Sequence, residues 1–130
     1  MSLVCESFEL GVGVIVSGGA GLVDLPRRAE HREWCERAAA IGNEALARGA
    51  SALEAASAAA ICLEDLPQFN AGTGAALTAE GTVEHDAVLV CGTTLAAGGA
   101  CGLVGFQNPI AVARAVLADG KHVPLYGDGA

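Results

Sequence analysis

The stretch that most constrains how this chain folds runs from Leu63 to Gly74, L-E-D-L-P-Q-F-N-A-G-T-G. It begins as the end of a helix and becomes a loop dense in breakers. Pro67 has no amide hydrogen and clashes with the preceding turn, so the helix must stop before it. Gly72 and Gly74 permit backbone angles that other residues resist. Between them and the helix, Phe69 is placed to anchor inward and Asn70 to hydrogen-bond locally in a turn. Such a loop leaves carbonyls that no helix or sheet pairs, and those oxygens need a partner. A cation, a water or a neighbouring segment would supply one. The alternative is a plain helix-to-strand connection held by its own turn chemistry.

The elements around this loop are written in the usual signals. Gly11 to Val16 is a short, β-branched apolar run, expected as a buried strand. It leads into Ser17-Gly18-Gly19-Ala20-Gly21. That turn lacks the glycine spacing of a dinucleotide fingerprint, and no Gly-Lys-Ser/Thr follows, so a P-loop is excluded. It is either a tight turn or a place of close backbone approach. Pro26 to Ala47 reads as a helix with Trp34, Ala38, Ile41 and Ala45 as its buried stripe, closed by Gly49. Ser51 and Glu54 form a capping box for a second helix, Ala52 to Leu66, apolar almost all round and therefore expected between neighbours.

Beyond the loop, Ala75–Thr78 and Thr82–Val90 are expected as strands joined by a short turn at 79–81. In the second, Val83, His85, Ala87 and Leu89 share one face and Glu84, Asp86 and Val88 the other. His85 is expected as a core histidine, and Asp86, a carboxylate late in an apolar strand, must find donors. Gly98 to Phe106 is expected to pair back across Gly92-Thr93-Thr94. Asn108-Pro109 starts a helix, with Asn108 as its cap and proline in first position, that stops at Gly120, and Val123–Tyr126 is a last strand. Helices on one side of a largely antiparallel sheet make an α+β layered fold.

At 130 residues the chain is expected to be one domain, 1–130. Hydrophobic residues make up 52%, which argues against disorder, yet only 4% are aromatic and 18 are glycine. A core of Ala, Val and Leu buries little area per side chain, so a face is expected to be covered by another chain. The net charge of −8 argues against nucleic acid and against an anionic membrane surface. The five cysteines, Cys5, Cys35, Cys62, Cys91 and Cys101, are odd in number and form no C-x-x-C pair, which fits neither a disulfide framework nor a zinc site. A reducing, cytoplasmic setting is expected, with no signal peptide, since no basic region precedes Glu6.

Residue types alone yield no nucleophile with its activator. His31, His85 and His122 are the only histidines, no G-x-S-x-G elbow or H-E-x-x-H is present, and none of the threonines has an evident base beside it. The order of motifs is more informative: a strand before G-G-A-G, then S-A-L-E-A-A-S-A-A, L-E-D-L-P-Q-F-N-A-G-T-G, G-T-V-E-H-D-A and F-Q-N-P-I-A-V-A-R-A-V. From about Val14 to Ala130 this resembles the first half of the plant-type asparaginase / isoaspartyl peptidase family of N-terminal-nucleophile threonine hydrolases. The F-N-A-G-x-G loop followed by the E-x-D-A strand is specific in combination.

The resemblance implies a four-layer αββα sandwich of which this chain is the N-terminal half. It implies a precursor cut before a threonine whose freed amine then acts as base. By resemblance this chain is the α subunit, paired with a β chain from the same precursor in an (αβ)2 heterotetramer. The substrate is a small molecule or dipeptide, asparagine or an isoaspartyl peptide. A catalytically inactive binding or assembly subunit and a glycosylasparaginase are the alternatives. The loop matches the family's sodium-binding loop, with the backbone carbonyls of Leu63, Glu64, Leu66, Phe69, Ala71 and Thr73 as ligands and no organic cofactor. Asn70 matches an asparagine that helps place the threonine, and Gly18 and Gly19 match a glycine turn close to it. Ser17 departs from the histidine usual before G-G-A-G.

Overall fold

A computed structural model describes residues 3–7 (backbone alone), 11–21 and 23–127. The side chain of Cys5 and the closing Asp128-Gly129-Ala130 lie outside the described residues. The chain divides into two compact units, 1–63 and 64–130.

In the first unit, strands β1 (Leu3–Ser7) and β2 (Gly13–Ser17) pair antiparallel, with Val4 opposite Val16. Helix α1 (Arg28–Ala47) packs on both. β2 is not the buried strand expected: Val16 alone is buried in it and Ile15 is 63% exposed, so one face of β2 stays open. The buried stripe of α1 is also rotated from the expected one. Cys35, Ala38, Ala39, Gly42, Asn43 and Ala45 are buried, while Trp34 and Ile41 are only half-buried. Trp34 instead carries the Arg37 guanidinium 5.1 Å over its ring, which suits an aromatic at the edge of a buried face. Small residues turn inward because α1 lies close to its neighbours. A Cβ on Gly42 would stand 3.0 Å from a Val14 methyl and 3.1 Å from the Ala55 carbonyl.

Helix α1 ends in a Schellman arrangement. The Gly49 amide donates to Leu46 O at 2.9 Å and the Ala50 amide to Ala45 O at 3.0 Å, with Gly49 at φ +87°. The capping box then opens α2 (Ala52–Glu64): the Ser51 amide donates to Glu54 Oε2 at 2.9 Å and the Glu54 amide to Ser51 Oγ at 3.3 Å. α2 is less enclosed than expected, with Ala52 and Ala56 exposed and most other positions half-buried. It stops at Glu64, two residues short of expectation, because the approach to Pro67 disfavours helical angles.

In the second unit, β3 (His85–Val90) pairs antiparallel with β4 (Ala97–Leu103) around the 91–96 turn, as the glycine and threonine pattern predicts. Helix α3 (Pro109–Asp119) follows and stops at Gly120, φ +68°. Strand β5 (Pro124–Tyr126) then returns parallel to β4, not antiparallel. The expected sheet was largely antiparallel; a strand reached through a helix crossover comes back in the same direction. The fold is thus mixed α/β with a β4–α3–β5 crossover. The expected Ala75–Thr78 strand shrinks to a single bridge, Leu77 opposite Val83, although the turn at 79–81 forms with Gly81 at φ +80°.

α3 lies on β3 and β4, and at Gly98 it rides on bare backbone: a Cβ there would stand 2.2 Å from the Leu117 amide nitrogen. The face of β3 toward this packing holds buried His85 and Leu89. The alternate residues face away, with Val88 65% and Val90 56% exposed, and Tyr126 on β5 is 80% exposed. Asp86 finds its donor in the Gly102 amide at 2.9 Å, across the register shift between His85 and Ala87. Among the described residues no helix is long and apolar enough to cross a membrane.

Candidate functional site

Two glycine-bearing turns carry the expected site residues, one in each unit. In the first, β2 delivers Ser17 to the turn. The Gly19 amide donates to Ser17 Oγ at 3.4 Å, and Gly19 adopts φ +95°, which favours glycine. Gly18 and Gly19 are exposed. The turn is seated on α1, where the Gly18 backbone bonds the Cys35 thiol. Burial pushes that thiol's pKa up, the Gly18 contact pulls against it, and Glu36 adds to the rise. At the other end of β2, buried Asn43 accepts the Val14 amide on Oδ1 at 3.0 Å. Asn43 and Cys35 therefore hold both ends of β2 against α1. Sequence reading missed both; a polar residue among alanines at helical spacing from Cys35 was the available signal.

The second turn is the loop after α2. Leu63 is the last residue of the first unit, and Glu64, Leu66, Phe69, Asn70, Ala71 and Thr73 belong to the second. Phe69 is buried at 4% exposure, as expected. Asn70 Oδ1 accepts the Ala76 amide at 2.8 Å, which ties the loop's start to its exit. Ala71 begins a short 3-10 turn, Gly72–Gly74, and the Gly74 amide donates to Ala71 O at 3.1 Å. Both glycines are forced by space. A Cβ on Gly72, at φ +52°, would stand 2.3 Å from Glu64 O, and one on Gly74 would stand 2.2 Å from Phe69 O and 2.7 Å from Pro67 O.

The resemblance implies a sodium ion at this loop. The carbonyls of Glu64 and Phe69, both expected ligands, are the oxygens nearest to where a Cβ on Gly72 or Gly74 would stand. Leu66 O and Ala71 O, two more, accept the Phe69 and Gly74 amides at 3.5 and 3.1 Å and keep a second lone pair each. Neutral oxygens of this kind suit a hard cation. Among the described residues no group of three His, Cys, Asp or Glu side chains is placed to hold a metal.

The side chain of Glu64 was not singled out by the sequence for any role. It is buried at 6% exposure, and its Oε1 accepts the Ile110 amide at 3.1 Å. It thereby caps α3 from 46 residues away. Asn108 is the N-cap by position but makes no side-chain cap bond. Its Nδ2 donates instead to Asp65 Oδ1 at 3.0 Å, and Gln107 Nε2 donates to the same oxygen at 3.1 Å. Burial pushes the Glu64 carboxyl pKa up, opposed by the Ile110 amide and the Asn108 side chain and reinforced by Asp65. Its Oε2 is buried with no hydrogen-bond partner.

A family model described as asparaginase matches residues 11–130. The plant-type L-asparaginase of Pyrococcus horikoshii is 46% identical over 120 residues, which are 92% of this chain and 39% of that protein. The plant-type L-asparaginase of Thermococcus kodakarensis is 47% identical over 118 residues, 90% of this chain and 38% of the relative. The human isoaspartyl peptidase/L-asparaginase is 38% identical over 117 residues, again 90% and 38%. The chain thus spans 39% or less of the length of these curated relatives.

Proposed function

This chain belongs to the asparaginase family, and on that premise we propose that it is the α subunit of an amidohydrolase. The reaction is hydrolysis of the side-chain amide of L-asparagine, or of the isoaspartyl bond of a small peptide. The match across residues 11–130 carries the reading. The names of the relatives, L-asparaginase and isoaspartyl peptidase, support that substrate class.

In this proposal a precursor is cut before a threonine that begins a β chain. The freed α-amine has a pKa of roughly 7.7–8.0 and can take the hydroxyl proton near neutral pH, which an amide nitrogen cannot do. This chain's own residues position. Asn70 orients the nucleophile, and the turn at Gly18-Gly19 leaves backbone close to it. A sodium ion held by the carbonyls of Leu63, Glu64, Leu66, Phe69, Ala71 and Thr73 would fix the loop. The open face of the β3–β4–β5 sheet, with Val88, Val90 and Tyr126 exposed, supports completion by further chain in a layered αββα sandwich and an (αβ)2 assembly.

The test uses the precursor expressed with its full continuation. Intact mass is expected to show a second fragment beginning with threonine, and ammonia release from asparagine is expected only after that cut. An uncut protein that hydrolyses neither asparagine nor β-aspartyl dipeptides overturns the proposal.

A further inference from the structure

The three segments that meet at Glu64 are the end of α2, the 66–74 loop and the start of α3. Their junction is unusually tight. A Cβ on Gly72 would meet Glu64 O at 2.3 Å, Glu64 Cβ at 2.7 Å and Gln107 O at 2.8 Å. Gly72 is therefore wedged between the residue that caps α3 and the residue two before its first turn. Two places beyond Asn70, the wedge fixes where the loop reverses, and the bond from the Ala76 amide to Asn70 Oδ1 closes the circuit.

What holds the two sides of the wedge together is the acceptor on Glu64. The first amides of α3 have no partner four residues back, although Ala111 reaches Asn108 O at 3.0 Å, and the N-cap side chain is turned to Asp65. Glu64 Oε1 answers one of those amides, Ile110, at 3.1 Å in a buried setting. A partly positive helix start and a carboxylate attract strongly where water is excluded. Asp65, exposed and bonded to Gln107 and Asn108, clips the same segment from outside.

We propose that Glu64 is a positioning residue: its carboxylate oxygen, by capping α3 at Ile110, clamps the wedge at Gly72 and so fixes the orientation of Asn70. The consequence for turnover rests on the function proposed above; the consequence for the loop does not. Loss of the acceptor leaves Asn70 free to wander, which lowers the fraction of productive encounters without changing how substrate is held.

The test compares Glu64→Leu, which fills the space without an acceptor, and Glu64→Gln, which keeps one, in the full precursor. Expected for Glu64→Leu is a kcat at least tenfold lower with KM within twofold of wild type. Deuterium uptake in the peptide spanning 70–77 is expected to be at least tenfold faster. Glu64→Gln is expected to restore kcat to within threefold and uptake to the wild-type rate. Wild-type kcat and uptake in Glu64→Leu overturn the proposal, as does equal loss in both variants. A leucine variant that cannot fold beside a normal glutamine variant also overturns it, since the carboxylate would then hold the fold and not the loop. A wild-type precursor without activity defeats the proposed function, and the uptake comparison then judges the clamp alone.

Discussion

The turn at 17–21 and the loop at 64–74 look alike in sequence, each rich in glycine after a regular element. In the structure Gly19 and Gly74 are there for opposite reasons, and Gly72 for both. Gly19 and Gly21 have nothing within 4 Å of where a Cβ would stand, and Gly19 is needed for its φ of +95°. Gly72 and Gly74 have backbone oxygens at 2.3 and 2.2 Å, so they are needed for room. One turn is a backbone conformation in the open. The other is a packed object whose interior is made of main-chain atoms. A glycine in a sequence reports that a side chain is not wanted, but not whether angle or volume forbids it.

Placing one methyl at each position separates the two. Gly74→Ala is expected to cost about 3 kcal/mol or more, because neither Phe69 O nor Pro67 O is the movable end of a side chain. Denaturant unfolding checks this, and an unchanged midpoint would erase the distinction. Gly19→Ala is expected to cost about 1–2 kcal/mol, from backbone angle alone. Asn70→Ala breaks the bond to the Ala76 amide inside the packed loop and is expected to cost about 1 kcal/mol. Gly21→Ala, with open space and no positive φ, is expected to be neutral or up to about 1 kcal/mol stabilising.

Two other like residues, Cys35 and Cys91, differ in their surroundings in the same way. Burial raises the pKa of Cys35. Bonds from the Thr94 hydroxyl and from the Thr94 and Thr93 amides lower that of Cys91. A lowered pKa means that thiolate is present at lower pH, so Cys91 is expected to alkylate before Cys35 as pH rises, and Cys35 slowly or only on unfolding. Timed iodoacetamide labelling with peptide mass analysis reads the order, and prior labelling of Cys35 would contradict it.

What the sequence made legible was local chemistry. Ser51 and Glu54 are three residues apart and cap as their types require. Gly49 and Gly120 close their helices, and Asn70 bonds within its own loop. Asp86 announced that it needed a donor, though the sequence could not say that Gly102 supplies it. The rest was hidden by distance along the chain. Asn43 holds an amide 29 residues away and Glu64 one 46 away, and neither pairing leaves a local trace. Asn108-Pro109 marked the start of α3 correctly but suggested the wrong cap, because a neighbouring carboxylate outcompeted the side chain of Asn108. The direction of β5 depended on whether Pro109–Asp119 crosses the sheet, which composition does not encode. Among the candidate site residues, Asn70 and the loop carbonyls rest on resemblance alone, while the side chain of Glu64 needed coordinates.

The contact at Gly98 carries a consequence for how this protein can vary. Where Gly98 meets Leu117, the nearest atoms are that residue's amide nitrogen, Cα and Cβ, none of them the free end of a side chain. A saturation library at position 98 should therefore return a single amino acid among folded clones, and helix and strand there must drift together over evolutionary time or not at all.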